Sequence, residues 1–375
     1  MSRDFNLILA LMLLSMPTAR AKQFEHVRYY GVGRGQEPAV AVAARLTNSG
    51  NLDLVITDSL SGKVTILLGN GDSTFQKPMT FPAPQPGAVA VGDFNEDGIQ
   101  DLALTEGNGT GDATVDIFLG DGTGHFRLSE TRTVGIAPHG IVAADLNGDG
   151  HLDVAVTNFG FEGNGPSMMT FFGNGHGKLG HRKTYRMPDQ EPAGIAAGDL
   201  NGDGHPDLVV AAYGEGAAVF MNDGTGEFGK PTYYVVDGDP VQVTIADLRN
   251  NGKHDLAVAD EVQGLDIWLN NGDGTFGKVA SYVNFGDTEP PDACVAADLN
   301  LDGKLDVACS ANNFQSYYYY GEGNGKFTFG GFINDDIDGY GGYSIAAGDF
   351  NNDGAPDIAI PIQDEGKVAI MLNGK

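Results

Sequence analysis

The sequence predicts an all-β fold, a seven-bladed β-propeller of four-stranded blades closed by an N-terminal strand that completes the last blade. Three observations point there. An acidic nonapeptide of the form DxNxDGxxD begins at Asp93, Asp145, Asp199, Asp298 and Asp349, with altered copies from Arg45 and Asp247, so one unit recurs about every 50 residues. Each unit holds short apolar runs bounded by Gly, Asn or Asp, too short for helices and spaced as strands. The ends also fit a ring. The last repeat stops at Leu372-Asn373-Gly374-Lys375, where its final hairpin is due, while QFEHVRYYGVG from Gln23 matches the fourth-strand segment FGKPTYYVVDG from Phe228.

The elements follow in order. Residues 1–21 read as a secretory signal peptide: Arg3, the apolar run FNLILALMLLSM from Phe5 to Met16, then Pro17 and the small-residue pattern Ala19-Arg20-Ala21 ahead of Lys22. The alternative is a buried first helix, but Pro17 ends the run and the apolar part is too short to span a bilayer. Cleavage after Ala21 leaves residues 22–375 as one propeller domain that is secreted, periplasmic or held at the cell surface, and the lack of a cysteine near the cut argues against a lipoprotein anchor. Phe24 to Tyr30 is then expected to close the ring and remove an exposed sheet edge. In each repeat a run such as GIVAAD or GIAAGD leads into the acidic loop, and DLALT, DVAVT, DLVVA or DIAIP leads out of it. A third strand (VTILLG, VDIFLG, LDIWLN), a Gly-rich hairpin (DGTGHF, NGDGTF) and a fourth strand (KPTYYVV) complete the unit.

Composition narrows the function. With 22 Lys+Arg against 50 Asp+Glu the chain has a net charge of -28, which repels a phosphate backbone and ranks nucleic acid last among partners, so no nucleic acid is expected. Gly 56 and Pro 17 in a chain that is 41% hydrophobic describe many turns in an ordered protein. No run of apolar residues after the leader is long enough for a transmembrane helix.

The acidic loops present a calcium donor set. Side-chain oxygens stand at positions 1, 3, 5 and 9, Gly at 6 permits a sharp turn, and position 7 offers its backbone carbonyl; an all-oxygen cage suits Ca²⁺ better than Mg²⁺. The expected ligands are Asp93, Asn95, Asp97, Ile99 and Asp101; Asp145, Asn147, Asp149, His151 and Asp153; Asp199, Asn201, Asp203, His205 and Asp207; Asp298, Asn300, Asp302, Lys304 and Asp306; and Asp349, Asn351, Asp353, Ala355 and Asp357. The residue at position 7 (Ile99, His151, His205, Lys304, Ala355) acts through its carbonyl alone. An EF-hand would need a bidentate Glu at position 12 and flanking helices, and neither is present. In the fifth repeat Arg249 and Asn251 replace donors, and an Arg there supplies its own cation; in the first, Arg45, Thr47 and Ser49 replace three. Five ions are expected, not seven.

DLNGDGHLD-type loops within β repeats of this length resemble the FG-GAP and VCBS-type repeats of integrin α-subunit propellers, bacterial secreted proteins and some fungal lectins, and the resemblance runs from about Gln23 to Lys375. It implies calcium at the loops. It leaves function open, since propellers of this kind serve in adhesion, glycan binding and enzyme scaffolding.

Strand alternation puts the acidic loops and the Gly-rich hairpins on one face and the irregular connections on the other, where binding sites usually reside. That second face gathers Phe159, Phe161, Asn312, Phe314, Tyr340 and Tyr343, with Glu162, Asn313, Asp335, Asp336 and Asp338, which suits sugar rings and hydroxyls. Trp268 and Tyr317 to Tyr320 sit at strand positions that read as core. Asn108-Gly109-Thr110 is a glycosylation sequon in a eukaryotic host. Cys294 and Cys309 replace apolar residues equivalent to Ile141 and Val156 on neighbouring strands, which reads as a disulfide or as two small buried thiols. No catalytic motif is present. The expectation is a secreted calcium-binding module for a glycan or surface protein; the alternatives are a lyase or hydrolase acting on extracellular polysaccharide, and a structural part of a surface assembly.

Overall fold

The structure, a computed structural model, describes residues 23–33, 38–107, 113–160, 165–187, 191–214, 216–235, 238–277, 280–282, 290–311, 316–333 and 343–374. The expected leader lies outside the described residues. The described residues contain 28 strands in seven four-stranded antiparallel sheets and no helix. Strand β1 (Phe24–Gly31) opens the chain. Blade 1 is β2 (Val40–Ala44), β3 (Asp53–Asp58), β4 (Lys63–Leu67) and β5 (Met79–Pro82); blade 2 is β6 (Pro86–Gly92), β7 (Asp101–Glu106), β8 (Thr114–Gly120) and β9 (Phe126–Thr133). Blade 3 is β10 (Pro138–Ala144), β11 (Asp153–Asn158), β12 (Ser167–Gly173) and β13 (Leu179–Arg186); blade 4 is β14 (Glu191–Gly198), β15 (Asp207–Tyr213), β16 (Gly216–Phe220) and β17 (Thr232–Tyr234). Blade 5 is β18 (Pro240–Ala246), β19 (Asp255–Asp260), β20 (Gly264–Trp268) and β21 (Ala280–Tyr282); blade 6 is β22 (Pro291–Ala297), β23 (Asp306–Ala311), β24 (Tyr317–Gly321) and β25 (Phe327–Phe332). Blade 7 is β26 (Ala346–Gly348), β27 (Asp357–Ile362) and β28 (Lys367–Asn373), and β1 supplies its outer strand.

Closure takes the expected form. Tyr30 pairs with Val368 and Arg28 with Ile370, while Phe24, 5% exposed, packs edge-on against Tyr318 of blade 6 with ring centroids 5.6 Å apart. A ring of separate sheets needs apolar side chains on both faces of each middle strand, and β3, β7, β11, β19, β23 and β27 are buried along their whole length. The core is accordingly a set of clusters wedged between neighbouring blades. One joins Val115, Ile117 and Leu119 of blade 2 to Val154 and Phe171 of blade 3. Trp268, Tyr317, Tyr318 and Tyr319 are buried in such clusters, as their strand positions predict. Cys294 lies opposite Cys309 in the β22–β23 ladder, and a disulfide joins them.

A single residue at or just past the end of each third strand fastens the blade to its loop. In blades 1, 2, 3 and 6 it is Gly69, Gly120, Gly173 or Gly321, where a side chain would meet the carbonyl of Leu52, Gln100, Leu152 or Leu305 at 2.0 to 2.4 Å. In blades 4, 5 and 7 it is an Asn whose amide reaches the neighbouring blade as well: Asn222 donates to Leu146 O and Pro206 O, Asn270 to Leu200 O and His254 O, and Asn373 to Leu299 O and Pro356 O.

Candidate functional site: the acidic loops and the opposite face

The five intact loops share one geometry because short side-chain oxygens compete for the backbone N–H groups of their own turn. In the second repeat Asp93 accepts from the N–H of Asp97 at 3.1 Å and of Gly98 at 2.8 Å, Asn95 accepts from the N–H of Asp97 at 3.0 Å, and Asp97 accepts from the N–H of Ile99 at 2.9 Å. The same bonds recur from Asp145, Asp199, Asp298 and Asp349. Gly98, Gly150, Gly204, Gly303 and Gly354 all take φ between 83° and 88°, the left-handed turn that folds positions 1, 3 and 5 back together.

Position 9 does something further. Asp101 starts β7 fully buried, accepting from Phe94 N–H at 2.9 Å and from Gly120 N–H at 2.8 Å across the blade. Asp53, Asp153, Asp207, Asp306 and Asp357 make the matching pair of bonds. The missed signal was in the sequence: this Asp is retained in all seven repeats, including the two that lose other donors. It clasps the loop to the third strand whether or not a metal is held.

The donor set fits a hard cation. Burial pushes Asp101, Asp153, Asp306 and Asp357 up to about 6 against the pull of their backbone bonds, and the carboxylates at positions 5 and 1 (position 5 alone for Asp306) push the same way. Like charges therefore converge in these loops, and carboxylate oxygens that accept one N–H keep a second lone pair free. Among the described residues no three acidic, imidazole or thiol side chains already aim at one centre, and the position 9 carboxylate is turned to its backbone donors. The structure thus brings positions 1, 3 and 5 together at the turn and sets position 9 below them. At position 7, Lys304 leans its ammonium onto Asp302 at 3.1 Å, and His151 contacts Glu96 of the neighbouring loop, which raises the imidazole above its usual range.

The fifth loop carries its cation in the chain. Arg249 places Nε 3.0 Å and Nη2 2.7 Å from the two oxygens of the fully buried Asp255, and it also donates to the carbonyl of Asn270. Leu248 N–H, released from that carboxylate, bonds Ala246 O instead. In the first loop Arg45 turns to Gly50 O at 2.9 Å. Beside it, a solvent-open depression between the first two loops is lined by Arg45, Thr47, Asn48 and Gln100.

The opposite face is described in part. Phe161, Asn312, Phe314 and Tyr340 lie outside the described residues, as do Glu162, Asn313, Asp335, Asp336, Asp338 and the sequon at Asn108. Phe159 is half-buried with its ring 6.1 Å from that of His139, and Tyr343 is 56% exposed. They belong to blade 3 and to the approach to blade 7, which are not neighbours, so these two do not form one platform. Sequence reasoning passed over a buried acidic pair at this face. Glu106, at the end of β7, is pushed up to about 7 by burial and then by Asp116, two residues beyond its partner Thr114 on β8. Nothing in either segment marks the pair, because it exists only through the strand register.

Structures of BBS1N in complex with ARL6DN, one soaked with mercury and one with lead, are similar in fold, with TM-scores of 0.61 and 0.60. Each is 14% identical over 94% of this chain and 97% of that one. No curated protein matches this sequence. The profile of the FG-GAP-like repeat matches residues 45–104, 93–156, 199–258, 247–309 and 298–360, well over half the chain. This protein therefore belongs to the FG-GAP-like repeat family.

Proposed function

We propose that the chain is an exported, calcium-loaded propeller that binds a glycan or a surface protein through the face opposite its acidic loops. The observation that supports calcium best is the contrast between repeats: the five intact loops converge carboxylates above a buried Asp on which no guanidinium is docked, while the fifth repeat's loop sets a guanidinium on it. Calcium then stiffens the loop face and leaves the irregular connections of the other face to recognise the partner. A similar propeller fold described in a complex supports a binding role.

Two measurements test this reading. Native mass spectrometry of the chain expressed from Met1 is expected to show a mature mass beginning at Lys22 and five calcium ions; an uncleaved or calcium-free product would overturn the corresponding part. A broad glycan array probed in millimolar calcium, with a chelated control, is expected to give calcium-dependent binding to a defined sugar. A second reading, a lyase or hydrolase of extracellular polysaccharide, rests on Glu106, whose carboxyl titrates near neutrality as a general acid or base must. Turnover of a polysaccharide that disappears in Glu106→Gln would favour it.

A further inference from the structure

The geometry points to a second binding site, distinct from either face: a cationic groove on the outer wall between blades 2 and 3 that takes an acidic polysaccharide, with sulfate or uronate groups seated on its arginines. In a chain of net charge -28 the outer strands should be neutral or acidic, and most are. Strands β5, β17, β21 and β25 contain no Lys or Arg, and β1 contains Arg28 alone. Strand β9 holds Arg127 and Arg132, and β13 holds Arg182, Lys183 and Arg186.

Register decides which of these meet. Arg132 stands opposite Val115 and Arg182 opposite Phe171, and both apolar partners belong to the cluster wedged between blades 2 and 3, so both cations open on the groove above it. Arg186, four residues beyond Arg182, shares its side of the strand, whereas Lys183 faces blade 4 and pairs with Glu227. Contacts across the groove confirm the placement: Arg132 donates to Leu179 O, Arg182 to Thr133 O, and Lys178 to Ser129 O. Among the described residues the acidic side chain between these walls is Glu130, already engaged by Arg132 at 2.9 Å and Lys178 at 3.2 Å. Arg182 and Arg186 remain exposed, and among the described residues neither has a carboxylate partner.

The chemistry selects the occupant. Guanidinium groups hold carboxylate and sulfate through paired N–H donors. Arg182 and Arg186 lie about 13 Å apart along the strand, at about 3.3 Å per residue, a span that suits repeated charges on a polymer better than one small anion. An acidic peptide adding as a fifth strand would need the free edge carbonyls, and side chains of the groove already occupy those of Ser129, Thr133 and Leu179. A single-stranded nucleic acid would need aromatic stacking surfaces, and the exposed large apolar residue on β9 and β13 is Leu128. The acidic loops lie on another surface, and at physiological salt charges more than about 8 Å away are largely screened, so the net charge does not forbid local capture.

The test is fluorescence anisotropy of the calcium-loaded full chain with labelled oligomers of dextran sulfate, hyaluronan and neutral dextran, with single-stranded DNA and poly-glutamate as competitors. Binding of one or both acidic polysaccharides, weakening with salt and lost at least tenfold in Arg182→Ala/Arg186→Ala with an unchanged melting temperature, is expected. Preference between dextran sulfate and hyaluronan assigns sulfate or uronate. Arg28→Ala should bind as the parent does, and Arg182→Lys/Arg186→Lys should retain part of the affinity. Equal binding by the Ala variant, equal binding of neutral dextran, or tighter binding of DNA or poly-glutamate would overturn the proposal.

Discussion

Arg249 offers the most direct test of how these loops work. Its guanidinium, 20% exposed, neutralises Asp255, whose side chain is fully buried. Truncation to Ala leaves a buried carboxylate with Asn270 N–H at 2.8 Å as its remaining bond. Breaking a buried pair from one side costs about 3–5 kcal/mol, and the partial exposure of Arg249 lowers this to about 2–4 kcal/mol. Unfolding entropy near 2.1 cal/mol/K per residue over about 350 residues converts that to a fall of about 3 to 5 °C in melting temperature. If Arg249 stands in for a metal, Arg249→Asn with Asn251→Asp rebuilds the donor set of the intact loops. That double variant should melt below the parent in chelator, recover about 2 °C in 1 mM calcium at a dissociation constant near 10⁻⁴ M, and bind a sixth ion in native mass spectra. Differential scanning calorimetry with and without calcium reads the first two quantities. A double variant that binds five ions and gains no more from calcium than the parent would refute the idea that guanidinium and metal share a role.

Three other outcomes follow from the same geometry. Phe24→Ala removes a buried ring at the seam that closes the ring of blades, at about 3–5 kcal/mol, so melting should fall by about 4 to 7 °C; a shift under 1 °C would mean that the seam does not hold the ring shut. Asp53→Ala, in a loop without its other donors, unpairs the N–H groups of Leu46 and Gly69 and should destabilise by about 2–4 kcal/mol with no change in bound calcium, whereas Asp153→Ala should cost stability and one ion; equal calcium counts for the two variants would count against the assignment. Glu106 has a folded-state value of about 7 against an ordinary 4.5, so the folded chain holds its proton more tightly and stability declines as pH climbs from about 4.5 to about 7. Glu106→Gln should therefore outlast the parent at pH 8 by on the order of 2 kcal/mol and lose that advantage at pH 4, and identical pH profiles would contradict the buried-pair reading.

The parts of this fold that were legible in the sequence are those the repeat imposes seven times. Blade number, loop position and the use of the Phe24 segment as a closing strand all follow from a unit that must bury both faces of its middle strands and leave no free edge. The buried positions of Trp268 and Tyr317 were legible for the same reason, since aligned repeats put apolar residues there. What stayed hidden depends on contacts between repeats or on departures from them. Arg132 and Arg182 are 50 residues apart in sequence and read separately as ordinary polar residues of outer strands; only the packing of blade 2 on blade 3 makes one groove of them. Glu106 and Asp116 become a pair only through the β7–β8 register.

Position 9 shows why a repeated motif has to be read one column at a time. Seven retained Asp residues look like the strongest part of a metal signature, yet two of them belong to loops that have lost other donors, and both still accept from the backbone N–H that ends the third strand, Gly69 for Asp53 and Asn270 for Asp255. A residue that served the metal alone would be free to drift once its partners had gone, as positions 3 and 5 have in the first and fifth repeats. Its retention there marks a demand of the fold. On the proposed calcium reading the metal's demand falls on positions 3 and 5, which remain intact only in the five loops where no arginine is docked on the buried aspartate and no serine or threonine has displaced a donor.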